Sequence, residues 1–565
     1  MSSSAPSGDR PAGRIHGTRS PVLGRNGVIA TSQPLASAAG LQVLQEGGNA
    51  IDAAVTAAAV LAVVEPTMTG VGGDLFALVY DGTSKVLKAL NSSGRAGANA
   101  SADALRRRGL PAMPSHGPTS ITVPGSVAGW SELLRAHGTI PLARAVAPAI
   151  AYARDGYAIS EIVAGQWEAA AERIALDPGA AAALLPGGRP PAHGDVVRNP
   201  DLANTLEQVA KNGADAIYRG PIGKTIAEHV SKLGGFLTPA DFASHTSDWV
   251  SPISTTYRHY TLFEMPPNTQ GFVALEMLNI LEGYDIRGMG HNTPDYLHVY
   301  TEAKRIAFAD RAAYLADPRH FPGELLATLI SKPYAAERRQ QIDMRRAAPA
   351  YQSYVGRVPP SRSEGLRGGP AGTRGPANFD TRGKGDTVYL AAADRFGNAI
   401  SLINSLFDSF GSGIVPPGTG VALHSRGSGF SLEAGHPNEL APGKRPFHTL
   451  VPAFLMKDGQ PFMAFGVMGA DNQAQAHAQV VANVVDFDMN VQEAGDVARV
   501  RHFEEGLAVE SGIAESVRAE LRRRGHVLHD GRGMVGGYQA VRIDTTTGVL
   551  QGGSDPRKDG LAICW

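Results

Sequence analysis

The stretch Gly383-Lys384-Gly385-Asp386-Thr387-Val388-Tyr389-Leu390-Ala391-Ala392-Ala393 is where the chain changes character. Ahead of it, residues 355–385 read VGRVPPSRSEGLRGGPAGTRGPANFDTRGKG, mostly Gly, Pro, Ser and Arg with no hydrophobic period. Such a composition cannot bury a core and reads as a flexible linker or a plain surface loop. From Thr387 onward the pattern turns apolar and alternating, and residues 387–393, 399–404, 447–457 and 462–466 are expected as strands. A helix is expected over 472–485. A hairpin is expected over 537–544 and 549–552, turning at Thr547-Gly548. This divides the chain into an N-terminus without order (1–26), a large core (27–350), the linker (351–386) and a strand-rich portion (387–565).

Upstream, Gly27-Val28-Ile29-Ala30 reads as a short strand. Two Ala-rich helices follow, over 35–45 and 50–64, separated by the stop signal Gly47-Gly48 and by Asn49 as N-cap. Pro66 ends the second helix, and Thr69-Gly70-Val71-Gly72-Gly73-Asp74 is a tight glycine loop. Strands are expected over 75–80 and 85–90 around Asp81-Gly82. Much of 130–345 is helical in pattern, with one strand-like interruption near 257–264. Strands mixed with layered helices predict an α/β or α+β sandwich.

Over 565 residues the hydrophobic fraction is 43% and the charged fraction 19%, values of an ordinary globular protein. A formal net charge of −1 provides no basic field for nucleic acid or an anionic membrane, so the expected partner is a small molecule. The single cysteine, Cys564, rules out an internal disulfide and a Cys-based zinc site. Residues 1–20 are polar, without the apolar core of a signal peptide. The longest apolar stretch, 53–64, is too short to span a bilayer. The expected location is cytoplasmic, with no membrane partner.

Common catalytic templates are missing. No G-x-S-x-G elbow occurs, and Gly70-Val71-Gly72-Gly73 lacks dinucleotide-fingerprint spacing and the Lys of a phosphate loop. His526 and His529 have no acidic companion and read as solvated, so no metal and no organic cofactor is implied. What remains is Asp386-Thr387. A threonine hydroxyl is a weak nucleophile unless a base takes its proton. The residue's own α-amine, with an ordinary pKa near 8, can be that base once the peptide bond before it is cut. A threonine opening a strand is also simply a good β-former.

The chain resembles the γ-glutamyltranspeptidase family from about Gly27 to Asp559. The resemblance rests on Gly47-Gly48-Asn49-Ala50-Ile51-Asp52-Ala53, Gly70-Val71-Gly72-Gly73, Val123-Pro124-Gly125-Ser126-Val127-Ala128-Gly129, Met265-Pro266-Pro267, Leu278-Asn279-Ile280-Leu281-Glu282, and Glu302-Ala303 leading to Ala309-Asp310-Arg311. In the second half it rests on Thr387, Asp394 to Asn398, Phe410 to Ile414, Lys444-Arg445-Pro446 and Gly553-Ser554-Asp555-Pro556-Arg557.

The resemblance implies an α+β fold, the four-layer αββα sandwich of N-terminal-nucleophile hydrolases. It also implies a precursor that cuts itself between Asp386 and Thr387 into a large and a small subunit that stay together. Thr387 would be the nucleophile, Ser405 the hydroxyl that orients it, and the backbone N–H groups of Gly469 and Ala470 the oxyanion donors. The expected partner is a small-molecule amide, γ-glutamyl or otherwise carboxylate-bearing.

Departures from the family pattern fall in the substrate pocket. Gly429 stands where the family has an Asp for the substrate ammonium, Phe407 where it has an Asn, and Arg426 where it has a Gln. His448-Thr449 replace the Ser-Ser pair at the α-carboxylate. Ser93 takes the place of the carboxylate-binding arginine, with Arg95 two residues on. Arg95, Arg426, His448 and Thr449 are therefore the candidate substrate contacts. Losing the Asp and gaining an Arg favours a bare carboxylate over a zwitterion. The pattern looks like the family's divergent branch, related to cephalosporin acylases and oxamate-type amidohydrolases. An acylase or small-amide hydrolase is thus the alternative to a γ-glutamyl enzyme, and an inactive metabolite-binding paralogue the alternative of another class.

Overall fold

The computed structural model describes residues 17–354 and 386–565, so residues 1–16 and linker residues 355–385 lie outside the described residues. The strand Asp386–Asp394 organises the molecule. Its Val388, Leu390 and Ala392 enter one apolar core together with the helix Ala50–Val64, while Tyr389, Ala391 and Ala393 enter another. Side chains alternate across a strand, so a run apolar at every position belongs to a sheet covered on both faces.

Two antiparallel seven-stranded sheets result. The first runs in the order Leu561–Cys564, Gly27–Thr31, Asp386–Asp394, Ala399–Phe407, Asp74–Tyr80, Leu87–Ser92, Asp248–Val250. The second runs Val22–Gly24, Leu550–Ser554, Tyr538–Ile543, Gln460–Val467, Ala453–Lys457, Tyr260–Glu264, Ile253–Tyr257. Phe76, Leu78, Phe454, Ala464 and Val541 fill the layer between them.

Helices Pro34–Gln45 and Ala50–Val64 cover the outer face of the first sheet, and Leu142–Asp155 packs over the second of them. Every residue of Ala50–Val64 is buried, because other helices lie over it. Asn49 starts it with a capping box, its side chain accepting from Ile51 and Asp52 N–H while Asp52 accepts from Asn49 N–H. Helices Gly271–Leu281, Pro294–Tyr314 and Asn472–Val485 cover the second sheet. The architecture is the expected αββα sandwich. No described helix is long and apolar enough to cross a membrane.

Three local expectations change. The interruption near 257–264 is a full hairpin, Ile253–Tyr257 with Tyr260–Glu264, turning at Arg258 with φ +55°. The ordered chain also reaches back before residue 27, where Val22–Gly24 pairs with Leu550, Gln551 and Gly552. Of residues 447–457, only Ala453–Lys457 is strand. The segment before Pro452, which has no N–H to give a ladder, runs beside the loop at 268–270. His448 N–H donates to Asn268 O at 2.7 Å, and Gln270 N–H donates to His448 O at 3.1 Å.

The glycine loop is a backbone device. A Cβ on Gly72 would lie 2.2 Å from Ala422 O, and one on Gly73 2.6 Å from Ser405 O. Only glycine lets this loop press against the end of the Ser405 strand.

Candidate active site

Thr387 shares the face of Tyr389, and Ser405 the face of Ile403, so both side chains enter the layer between the sheets at the head of adjacent strands. Both are buried. The Thr387 hydroxyl donates to Ser405 Oγ at 3.2 Å. Ser405 Oγ also accepts from Phe407 N–H at 2.7 Å and from Arg426 Nη2 at 3.4 Å.

Arg426 is 1% exposed. Its Nη1 donates to Thr449 Oγ1 at 3.0 Å, and its guanidinium lies 4.2 Å from the centre of the Phe407 ring. Phe407 holds that stacked position with φ +82°, a left-handed conformation uncommon outside glycine. Among the described residues no carboxylate lies within ion-pair distance of Arg426, and its Nε has no partner. Burial pushes this guanidinium down to about 9, while Asp74 and Asp471 pull the other way from a distance.

The Thr449 carbonyl accepts from Gln270 Nε2 at 2.9 Å, and the same nitrogen donates to the Ala470 carbonyl at 3.1 Å. Gly469 and Ala470 form the turn between the strand Gln460–Val467 and the helix Asn472–Val485, with φ +125° and +51°. Among the described residues none accepts from the N–H of either. The turn sits at the positive end of a 14-residue helix, where N–H groups and the helix dipole favour negative charge.

The other candidates are held elsewhere. His448 Nδ1 accepts from Leu450 N–H at 3.3 Å, which leaves the ring proton on Nε2, 3.1 Å from Asp74 Oδ2. Burial pushes His448 well below its ordinary value and Asp74 up to about 7; Arg426 and the N–H groups of Gly94 and Gly125 restrain the Asp74 shift. Arg95 pairs with Asp248 at 3.3 Å and Asp317 at 3.8 Å, in a cluster shared with Arg445. Gly429 O accepts from Asn438 Nδ2 at 2.6 Å. Asp386 lies opposite Phe407 in the strand pair, so the Asp386–Thr387 peptide runs beside the residue whose ring faces Arg426.

Thr387, Ser405, Arg426, Thr449 and, through Gln270, Ala470 therefore form one connected site. His448 faces Asp74, and Arg95 belongs to the neighbouring ion-pair cluster. Sequence reasoning missed Gln270 and Arg311, whose Nη1 donates to Gln270 Oε1 at 2.7 Å. A signal existed, since a polar Gln directly before the wholly buried helix Gly271–Leu281 has to find partners. His526 is also not solvated as expected: it is buried, with Nε2 2.8 Å from His298 Nδ1, while His529 is exposed. Among the described residues no group of three or more His, Cys, Asp or Glu is placed to hold a metal.

Two antiparallel sheets face to face between helical layers, with a hydroxyl residue at the head of a central strand, define the class of N-terminal-nucleophile hydrolases. The chain belongs to the γ-glutamyltranspeptidase family, whose sequence model, Gamma-glutamyltranspeptidase, matches residues 36–565. It is 36% identical over 552 residues to the glutathione hydrolase-like YwrD proenzyme of Bacillus subtilis, covering 96% of this chain and 99% of that one. It is 34% identical over 557 residues to the oxamate amidohydrolase proenzyme of Klebsiella pneumoniae, covering 95% and 98%. The crystal structure of cephalosporin acylase from Bacillus halodurans matches with a TM-score of 0.88 at 39% identity, covering 99% of this chain and 98% of that one. The family, the fold and the kinship to acylases and amidohydrolases expected from the sequence all hold, and the protein is an enzyme of this family.

Proposed function

We propose that the protein cuts itself between Asp386 and Thr387 and then hydrolyses amides whose short acyl group ends in a carboxylate. The freed α-amine of Thr387 takes the hydroxyl proton as the oxygen attacks the amide carbon. The oxyanion forms at the N–H groups of Gly469 and Ala470, and Ser405 Oγ keeps the nucleophile in line. When the C–N bond breaks, the leaving amine takes the proton from the α-amine and the acyl group stays on Thr387 as an ester. Water then attacks the ester and gives its proton to the same amine. The carboxylic acid leaves and the hydroxyl is restored.

The observation that carries the substrate reading is Arg426. A buried guanidinium with no carboxylate partner among the described residues is costly, and a substrate carboxylate is the missing counter-ion. It shares Ser405 Oγ with the nucleophile, through contacts of 3.4 and 3.2 Å, so the carboxylate it holds is only a short acyl chain away. The same guanidinium disfavours a substrate ammonium, and the Phe407 ring already faces a cation. Thr449 Oγ1, fixed by Arg426, supplies a hydroxyl beside the carboxylate.

Processed protein assayed with glutaryl, γ-glutamyl and valeryl anilides should prefer the glutaryl compound. The purified protein should run as bands of about 40 and 19 kDa, from residue counts, in place of one at 59.1 kDa. A kcat/KM for the γ-glutamyl anilide equal to or above that for the glutaryl one would sink the substrate reading. A small fragment that begins anywhere but Thr387 would sink the processing reading.

A further inference from the structure

We infer that Gln270, braced by Arg311, is a positioning residue that fixes the oxyanion turn relative to the acyl pocket; this rests on the roles proposed above for Gly469, Ala470 and Arg426. Gln270 is fully buried, and both ends of its amide are bonded. Nε2 donates to Thr449 O at 2.9 Å and Ala470 O at 3.1 Å, and Oε1 accepts from Arg311 Nη1 at 2.7 Å. A side-chain amide has two N–H donors, and both are used here. Its own N–H donates to His448 O, so the backbone is held as well.

The two carbonyls it grips belong to the two halves of the site. Thr449 is the residue whose hydroxyl meets Arg426, and Ala470 carries one of the N–H groups for the oxyanion. One amide thus sets the separation between the acyl carboxylate and the oxyanion. The turn needs that restraint. Ala470 sits at φ +51°, where an L-residue is disfavoured, and such a conformation persists only if its surroundings over-determine it. Its carbonyl receives Gln270 Nε2 from one side and Gln473 N–H, at 3.2 Å, from the other.

Arg311 closes the frame. The same Nη1 that holds Gln270 donates to Asp471 Oδ1 at 2.5 Å, and the guanidinium stacks 4.0 Å from the centre of the Phe308 ring. Burial raises the Asp471 carboxyl, but Arg311, with Arg501 and Lys304 behind it, holds it below its ordinary value. The helix Pro294–Tyr314 therefore grips the turn at Asp471 directly and at Ala470 through Gln270. Gln270 never meets substrate. Its effect falls on the step in which negative charge develops, where misplacement by about an ångström costs on the order of a hundredfold.

The test is Gln270→Met, which keeps the volume and removes both donors, with Arg311→Lys, which keeps a cation near Asp471 and Gln270, as the milder variant. Both are assayed on whichever amide the wild type cleaves best, so failure of the glutaryl preference does not touch the result. For Gln270→Met, kcat should fall about a hundredfold while KM stays within threefold. The affinity for a boronate that mimics the tetrahedral adduct should fall by the same factor as kcat. The affinity for the free acid product should stay within twofold. Arg311→Lys should show the same split at about tenfold, and it decides the matter if Gln270→Met does not fold. Equal losses of boronate and product affinity would reduce Gln270 to a packing residue and overturn the inference. So would a kcat within threefold of wild type in a folded, processed variant.

Discussion

Replacing Arg426 by Gln removes one charge from the site and leaves an amide that can still meet Thr449 Oγ1 and Ser405 Oγ, now 3.0 and 3.4 Å from the guanidinium. If that charge serves a substrate carboxylate, the loss is that of one partner of a buried pair, about 3–5 kcal/mol. At about 1.4 kcal/mol per tenfold, kcat/KM for the glutaryl anilide should fall between a hundred- and a few thousandfold. The uncharged valeryl anilide has no use for the cation and should be cleaved as well as before or better. Stability should move the opposite way. The guanidinium is 1% exposed, its Nε has no partner among the described residues, and burial pushes its pKa down to about 9. A neutral side chain in its place should leave Tm unchanged or raise it. The assays are steady-state kinetics on both anilides and a thermal melt of the processed protein. Equal losses on the two substrates, or a lower Tm together with lower activity, would show that Arg426 holds the fold and not the acyl group.

Thr387→Ala should leave a single band at 59.1 kDa with an unchanged circular dichroism spectrum; two bands would mean that another residue starts the cleavage. Ser405→Ala removes the acceptor of the Thr387 hydroxyl and the side-chain acceptor of Phe407 N–H, a loss of about 1–3 kcal/mol, so kcat should fall roughly ten- to a hundredfold with little change in KM. Glu65 is 2% exposed, and burial pushes its carboxyl up to about 7 against a hydrogen bond from Ser32. Its raised pKa favours the fold below about pH 4.5, and that contribution is lost as pH rises through 7. Relative to wild type, Glu65→Gln should therefore gain up to about 3 kcal/mol between pH 5 and 8.5. Parallel curves of Tm against pH would refute this.

The parts of the fold legible in the sequence are those whose signals are local. Asn49 and Pro66 bracket Ala50–Val64, and the helix Asn472–Val485 follows a Gly-Ala turn, so neither needs distant partners to be recognised. Residues 447–452 are as apolar as a strand yet leave the sheet to run beside Asn268, because an apolar run states burial but not what it is buried against. Asp248–Val250 is a three-residue edge strand, too short to register in a pattern. Within the site, the strand that opens at Thr387 is legible as an apolar run after the linker, whereas Ser405 lies beyond the expected strand 399–404 and is picked out by the family resemblance alone. Gln270 is not legible, since its partners lie 41, 179 and 200 residues away at Arg311, Thr449 and Ala470. Gly429 shows the reverse problem. The sequence suggests restoring an Asp there, but a Cβ would sit 2.9 Å from Phe447 O, so the exchange needs a backbone shift that the sequence does not reveal.

The order of strands has a consequence for the two pieces left by a cut before Thr387. Gly27–Thr31, from the piece before the cut, lies between Asp386–Asp394 and Leu561–Cys564 from the piece after it. In the second sheet, four strands from the later piece are flanked by Val22–Gly24 on one side and by Ile253–Tyr257 with Tyr260–Glu264 on the other. The halves are woven, not docked. Scission changes connectivity while leaving every ladder intact, so the pieces can part only by tearing backbone hydrogen bonds out of both sheets. Neither piece keeps a whole sheet of its own. Active protein should form when both are synthesised together in one cell, and not when separately refolded halves are mixed.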